Sequence, residues 1–204
     1  MSADITLHQY DLPDGLGFGG RVAVDTETMG LKTGRDRLCL VQLSAGDGTA
    51  HLVQLDGRYE APNLVRLLED ETVEKIFHFA RFDIAALEHY LGARCRPVFC
   101  TKIASKLCRT YTDRHGLKDL CREILGLDIS KQQQSSDWGA AELTEAQMRY
   151  AAADVLYLHQ LADHLKRMLE RENRLELAQE CFSFLPARAR LDLAGWEETD
   201  IFAH

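Results

Sequence analysis

The stretch of sequence that most constrains the fold is RVAVDTETMGL, residues 21–31. Its first four residues alternate and are rich in β-branched side chains, so they predict a strand within a sheet. Asp25 and Glu27 follow two residues apart, which places both carboxylates on one face of that strand. Ionised carboxylates repel each other and are costly in an apolar strand, so this pair requires a cation or a proton to compensate it.

The composition predicts a single α/β domain over residues 1–204. A chain of 204 residues that is 46% hydrophobic, with four prolines, is long enough for one sizeable core and short for two. No run approaches 18 apolar residues, and residues 1–6 lack the basic and apolar regions of a signal peptide. We therefore expect a soluble, cytoplasmic chain with no membrane partner. Six cysteines without a CxxC pair indicate reduced structural thiols.

The net charge of −8 limits the class of partner. It argues against binding of long nucleic acid by bulk electrostatic attraction. It is compatible with a small anionic substrate that metal ions hold in place.

The order of strands and helices predicts a mixed five-stranded sheet with helices on its faces. Three strand-like runs form an antiparallel meander, and two further strands follow them; the runs are 21–27, 37–44, 49–55, 73–79 and 97–100. Helical patterns cover 62–70, 82–92, 101–109, 116–125 and a long segment that begins after Thr144, in a capping box, and extends to about 170. Residues 126–142 are polar and form the longest irregular stretch.

Three further side chains are predicted partners of the acidic pair. Asp83 follows the fourth strand at the start of a helix, and Asp154 lies four residues after Tyr150, on the same helical face. Taken singly, Asp83 has the features of a helix N-cap, and Tyr150 and Asp154 those of the solvated edge of an amphipathic helix. Together with Asp25 and Glu27, they fit a site for two divalent cations, Mg²⁺ or Mn²⁺, in phosphoryl transfer.

The segments that carry these acids resemble the motifs of a known enzyme family. VDTET, FHFARFD and YAAADVLYL resemble the three exonuclease motifs of the DEDDy 3′→5′ exonucleases of the ribonuclease D branch. FCTKIASKL, RTYTDRHGLK, ISKQQQSSDW and DLAGWEETDIFAH resemble the compact nano-RNase C exonucleases, over nearly the whole chain. The resemblance implies an RNase H-like, DnaQ-like exonuclease fold.

The resemblance also assigns expected roles to the five side chains. Asp25 would bridge both metals, and Glu27 and Asp154 would complete the site of the metal that activates water. Asp83 would hold the second metal. Tyr150 would orient or help to deprotonate the nucleophilic water through its hydroxyl. An ordinary tyrosine pKa of about 10 favours positioning over free general-base catalysis, unless the metals lower that pKa.

The implied reaction is hydrolysis of short oligoribonucleotides to nucleoside 5′-monophosphates, with a preference for 5′-phosphorylated diribonucleotides. Leu31 is expected to wedge between two bases, unless it is a turn leucine that packs inward. His78 is expected to contact the 3′ end, although a hydrogen-bonded core histidine is the alternative. Thr26, between the two acids, is also expected to contact the substrate.

A 5′-phosphate site is expected in the second half of the chain. Lys102 and Ser105 near a helix start, with His115 and Gln133 of the KQQQSS loop, would gather around the phosphate. The ordinary alternative is solvation of charged helix surfaces. Two other functions stay open: a broader exonuclease acting on RNA or DNA, and a non-catalytic nucleic-acid-binding module.

The C-terminal segment, about 183–204, is too apolar for a free tail. Its large apolar residues are Phe184, Leu185, Leu191, Leu193, Trp196, Ile201 and Phe202. They either cover the chain's own core or contact a neighbouring subunit. The resemblance implies subunit contacts in a homo-oligomer, a closed ring of eight.

Overall fold

A single mixed sheet organises the computed structural model, which describes residues 4–130 and 132–204. Within these ranges the sheet has six strands, in the order β1-β4-β3-β2-β5-β6. The strands are β1 (Asp4–Gln9), β2 (Arg21–Thr28), β3 (Leu38–Ser44), β4 (Thr49–Gln54), β5 (Glu74–Phe77) and β6 (Val98–Cys100).

The strand pairings confirm the predicted meander and add one strand to it. β2, β3 and β4 pair antiparallel, and β5 and β6 join β2 in parallel. The prediction of five strands is wrong by one, because β1 pairs parallel with β4 at the edge of the sheet, with Asp4 opposite Thr49. Residues 1–3, part of the segment considered for a signal peptide, lie outside the described residues.

Helices cover both faces of the sheet. They are α1 (Pro62–Glu69), α2 (Ala80–Leu91), α3 (Thr101–Cys108), α4 (Leu117–Leu120), α5 (Glu145–Leu156), α6 (Leu158–Arg171) and α7 (Leu175–Leu191). α4 continues into a π-helical turn, Cys121–Leu125, and α7 into another, Asp192–Trp196. None of the helices in the described ranges is long and apolar enough to span a membrane.

The long helix predicted after Thr144 is two helices. Its start is confirmed: the Thr144 side chain accepts a hydrogen bond from the backbone N–H of Gln147, whose own side chain completes the capping box. Its length is wrong, because Tyr157 leaves the helical path, with φ −105° and ψ −5°. The apolar spacing continues through this break, so periodicity alone does not reveal it.

The alternation of side chains along β2 positions the acids. Val22 and Val24 of β2 belong to the larger core. Leu40, which lies opposite Glu27 on β3, belongs to a smaller cluster with Ala151 of α5. Because side chains alternate along a strand, the two acids of β2 face the α5 side and the threonine between them faces the other side.

The six cysteines are free thiols. Five of them are buried and Cys181 is half-buried. Burial raises the pKa of the Cys95 thiol to about 12, so this side chain packs as a neutral group.

Candidate active site

Three carboxylates converge where β2 meets α5. Asp25, Glu27 and Asp154 each offer an oxygen atom, and these three atoms lie within 4.8 Å of one another. β2 supplies the first two residues and α5 the third. Gln42, opposite Asp25 in the strand pair, donates from Nε2 to Asp25 Oδ2 over 3.3 Å. The cluster is therefore built by two elements that pack directly on each other.

Asp83 lies beside this group and is more deeply buried, at 3% exposure. It is in the first turn of α2, whose N-cap is Phe79, so the N-cap alternative for Asp83 is wrong. The Thr26 hydroxyl donates to Asp83 Oδ1 over 2.6 Å. Thr26 thus links β2 to the first turn of α2 at the edge of the acidic cluster.

The metal-free carboxylates hold protons more tightly than ordinary acids. Burial, followed by the charges of Asp83 and Asp154, raises the pKa of Asp25 well above its usual value. Burial, followed by the charges of Asp154 and Asp83, raises the pKa of Glu27 to about 9. Burial also raises the pKa of Asp83 to about 7, although the hydrogen bond from Thr26 opposes this change. These ligand atoms are all oxygens, and their negative charges need compensation. Both properties fit hard divalent cations such as Mg²⁺ and Mn²⁺.

Tyr150 completes the cluster from α5. Burial, followed by the charge of Asp154, raises the pKa of the Tyr150 phenol above its ordinary value. Its hydroxyl is hydrogen-bonded to the Asp154 side chain. The phenol is therefore protonated at neutral pH and is available to orient a neighbouring water rather than to remove its proton.

A groove of about 630 Å³ opens onto the cluster. Its apolar lining comprises Met29, Leu31, Phe79, Phe82, Leu117, Ile129 and Trp138. Its polar lining includes Asp25, Thr26, Glu27, His78, Lys102, Lys118, Ser130, Gln134, Ser135, Ser136, Tyr150 and Asp154. Leu31 is 81% exposed, so the alternative of an inward-packing turn leucine is wrong.

His78, between β5 and α2, and Lys102, in the first turn of α3, both line this groove. Thr101 Oγ1 donates to the Phe77 carbonyl over 3.1 Å, so its 2.9 Å contact with His78 requires Nδ1 of His78 to be the donor. The Lys102 ammonium lies 4.0 Å from the centre of the Phe79 ring. Burial, with a smaller contribution from Lys106, lowers the pKa of Lys102.

The other predicted phosphate ligands are not among the residues that line the groove. Ser105 is fully buried, and its hydroxyl is 2.8 Å from His115 Nδ1 and accepts from Arg109 over 3.0 Å. Gln133 Oε1 accepts from the Ser136 hydroxyl over 2.5 Å, and the adjacent Gln134 is the glutamine in the lining. Residue 131, the first of this loop, lies outside the described residues.

Sequence reasoning did not single out Phe79, Trp138 or Gln134 as lining residues. Phe79 is inside the FHFARFD segment, and Trp138 ends the SSDW segment that follows the polar loop. An aromatic residue inside a motif, or directly after a polar loop, could have indicated that these two residues line the site. Phe79 also has a left-handed backbone, with φ 69°, which is unusual for an aromatic residue and is associated with functional sites.

Comparisons with known proteins identify the family of this chain. The family model described as 3'-5' exonuclease matches residues 11–170. Ribonuclease D of Granulibacter bethesdensis is 35% identical over 179 residues, which are 86% of this chain and 45% of that protein. The chain therefore spans about half the length of the curated relatives that it matches.

Solved structures show the same fold. Brucella melitensis NrnC bound to pGG is 57% identical, with a TM-score of 0.96 and full coverage of both chains. A structure of the same protein with bound Mg²⁺ is 56% identical and has a TM-score of 0.95, covering 98% of this chain and 99% of that one. Escherichia coli RNase D is 26% identical, with a TM-score of 0.75, over 84% of this chain and 45% of that one. Through this family match and these similarities, the chain belongs to the 3′→5′ exonuclease family, in its RNase D and NrnC (nano-RNase C) branch.

Proposed function

We propose that this protein is a metal-dependent 3′→5′ exoribonuclease that cleaves short oligoribonucleotides, preferentially 5′-phosphorylated diribonucleotides, into nucleoside 5′-monophosphates. The observation that carries the proposal is the convergence of three carboxylates within 4.8 Å in a groove that Tyr150 also lines. Ionising buried carboxylates so close together costs free energy, and a bound cation would offset that cost.

Asp25, Glu27, Asp83 and Asp154 would hold two divalent cations, Mg²⁺ or Mn²⁺. When bound, such ions polarise the phosphodiester and the attacking water. Tyr150 orients that water through its protonated hydroxyl. The water oxygen forms a bond to phosphorus, the bond from phosphorus to O3′ of the preceding nucleotide breaks, and that O3′ takes up a proton.

Three groove residues are proposed to position the two nucleosides. His78, fixed by its hydrogen bond to Thr101, contacts the 3′ end. Leu31, which is largely exposed beside the acids, inserts between the two bases. Thr26 supports the site through the hydrogen bond that its hydroxyl donates to Asp83.

Lys102 is the proposed principal ligand of the terminal 5′ phosphate. No carboxylate among residues 4–130 and 132–204 forms an ion pair with it, whereas Lys118 in the same groove pairs with Asp128 over 3.3 Å. A desolvated ammonium without an anionic partner gains most from a phosphate. Ser105, His115 and Gln133 stay predictions for this phosphate site.

The preference for a dinucleotide is proposed from the size and charge of the site. A groove of about 630 Å³ is within the range of about 300–1,000 Å³ that small-molecule sites occupy. The net charge of −8 offers long RNA little attraction outside the groove. A site that closes on the 5′ phosphate would exclude a third nucleotide by steric clash. The structure of Brucella NrnC with pGG supports the same substrate class for a related protein.

A competition time course with 5′-labelled RNAs of two to seven nucleotides tests the proposal, with Asp25→Asn as the catalytically inactive control. We expect the 5′-phosphorylated dinucleotide to disappear first, and we expect no turnover in the variant or in excess chelator. A processive ladder on long RNA, with dinucleotides accumulating, would assign the protein to the broader exonuclease class. Binding of RNA without cleavage would indicate a non-catalytic module.

The protein is also proposed to self-associate, and the expected assembly is the closed ring of eight subunits that the family resemblance implies. In its support, Phe184, Trp196, Ile201 and Phe202 of the C-terminal segment are exposed large apolar residues. Exposed apolar groups in one segment are typical of a subunit contact.

A further inference from the structure

Trp138 is a buried aromatic residue beside the catalytic tyrosine. Its side chain is 2% exposed, lines the groove, and packs in the smaller cluster with Leu40, Leu52 and Ala151. Its ring centre lies 6.0 Å from that of Tyr150, with an angle of 38° between the ring planes. The distance is within the range of about 4.5–7 Å in which aromatic rings attract each other.

The indole N–H of Trp138 has no hydrogen-bond partner within the described part of the chain. Buried donors are almost always paired, so this orphan requires an explanation. Within the described part of the chain, Trp138 contacts Tyr150 through its ring and not through its N–H.

The backbone around Trp138 is fixed to the helix that carries Tyr150. Gln147 of α5 donates from Nε2 to the Asp137 carbonyl over 3.0 Å. On the other side of Trp138, Arg37 donates to the Gly139 carbonyl over 3.0 Å. The backbone on one side of Trp138 is therefore attached to α5, and the backbone on the other side to Arg37.

We infer that Trp138 is a positioning residue for Tyr150, an inference that rests on the proposed function. The position of the phenol depends on the hydrogen bond between its hydroxyl and Asp154 and on the packing of its ring against the smaller cluster, in which Trp138 is its aromatic neighbour. The hydroxyl bond alone leaves the ring free to pivot. The indole restricts that rotation and keeps the hydroxyl at the acidic cluster, where a small displacement is costly to the rate.

A double-mutant cycle in the full-length protein tests this inference. Single-turnover rates and KM are measured with Mg²⁺ and a 5′-phosphorylated diribonucleotide for Trp138→Leu, Tyr150→Phe and the double variant. We expect Trp138→Leu to lower the rate at least about tenfold and to change KM less than about twofold. In the Tyr150→Phe background, the same change should cause no further loss.

Two additional variants separate positioning from stability. Trp138→Phe retains an aromatic ring and should recover most of the rate lost in Trp138→Leu; it also serves if the leucine variant does not fold. Met148→Ala removes another member of the same cluster from α5, two residues before Tyr150, where side chains do not face each other. Met148→Ala should lower the midpoint of thermal unfolding without lowering the single-turnover rate.

Each contrary outcome has a distinct meaning. A loss of rate that persists in the Tyr150→Phe background overturns the inference, because Trp138 then acts through another group. If Trp138→Phe is as slow as Trp138→Leu, the inference is also overturned. The indole N–H, which phenylalanine lacks, would then be the group that matters, as a donor to the substrate. A normal rate for Tyr150→Phe alone would instead contradict the proposed role of Tyr150, whatever Trp138 does.

Discussion

Asp25 and Glu27 make the metal-free fold sensitive to pH. Both carboxyl groups have a pKa raised by burial and by neighbouring carboxylates, to about 9 for Glu27. In the unfolded chain they return to ordinary values of about 4. Between these values, the folded state binds more protons than the unfolded state, so the free energy of unfolding falls as pH rises.

We therefore predict that the chelated protein loses thermal stability between about pH 5 and about pH 9. Mg²⁺ should raise the midpoint more at about pH 8 than at about pH 5, because only ionised carboxylates bind it. Glu27→Gln should flatten the pH dependence in chelator, since its amide does not titrate. Thermal unfolding across this range is the measurement, and a Mg²⁺ effect that does not vary with pH would contradict the prediction.

Leu31→Ala should weaken dinucleotide binding and leave stability nearly unchanged. The side chain is largely exposed, so its loss should change the free energy of unfolding by less than about 0.5 kcal/mol. Burial of a leucine against bases contributes at most about 1.5–3 kcal/mol, so we expect about a tenfold loss of affinity for a non-hydrolysable dinucleotide.

Leu177→Ala, at another exposed leucine in α7, is the matched control and should bind like the parent protein. Equal affinity of the Leu31 variant and the parent would remove Leu31 from the substrate site. Calorimetric titration and chemical denaturation measure the two quantities separately.

The local rules of strand and helix explain which site residues the sequence places together. A period of two puts Asp25 and Glu27 on one face, and a spacing of four puts Tyr150 and Asp154 on one helical face. The position of Ser105 depends on how α3 packs against α6 and α7, which contact it, and this is a tertiary property. For the same reason the sequence did not predict that Ser105 is fully buried behind His115 and Arg109.

Among the elements, α5 depends on one glutamine for two attachments. Gln147 completes the capping box with Thr144 and also donates to the carbonyl of Asp137. We predict that Gln147→Leu lowers the free energy of unfolding by about 1–3 kcal/mol, since it removes both bonds.

Glu145→Ala provides the comparison for this prediction, because it alters the same first turn at a largely exposed ion pair with Arg149. Such a pair contributes less than about 1 kcal/mol. Urea denaturation measures both variants, and equal stabilities would show that the Gln147 bonds are not stabilising.

Element boundaries that depend on distant partners were the part of the fold that sequence patterns missed. β1 is a short edge strand whose partner, β4, begins at Thr49, so its pairing has no local signal. The division between α5 and α6 at Tyr157 is also hidden, because the apolar positions on both sides belong to one buried core. The meander and the capping box were predictable because each is specified by adjacent residues.

For the molecule as a whole, the C-terminal segment combines internal anchoring with an apolar surface. Arg81 of α2 donates to the Asp192 carboxylate over 2.5 and 2.8 Å, and Arg188 forms an ion pair with the same carboxylate at 2.8 Å. Phe202 is nevertheless 77% exposed. The segment is thus fixed to its own chain and still has apolar side chains to bury elsewhere.

We predict that the protein sediments as an oligomer of its 23.1 kDa chain and that Ile201→Ser with Phe202→Ser lowers its mass. Removing two exposed apolar side chains weakens a contact without opening the core. Leu177→Ser is the control on α7 and should leave the mass unchanged. Sedimentation of the parent protein as a monomer would contradict the subunit-contact proposal.

The order of the carboxylates along the chain has a consequence for biosynthesis. Asp25 and Glu27 are made early, whereas Asp154, whose oxygen completes the group within 4.8 Å, is made after the whole sheet. A ribosome-bound chain therefore displays Asp25 and Glu27 long before Asp154 can join them. Under the proposed function, the growing polypeptide would lack a complete metal site while it is close to messenger and ribosomal RNA, and nuclease competence would arise only once α5 has emerged and packed on β2.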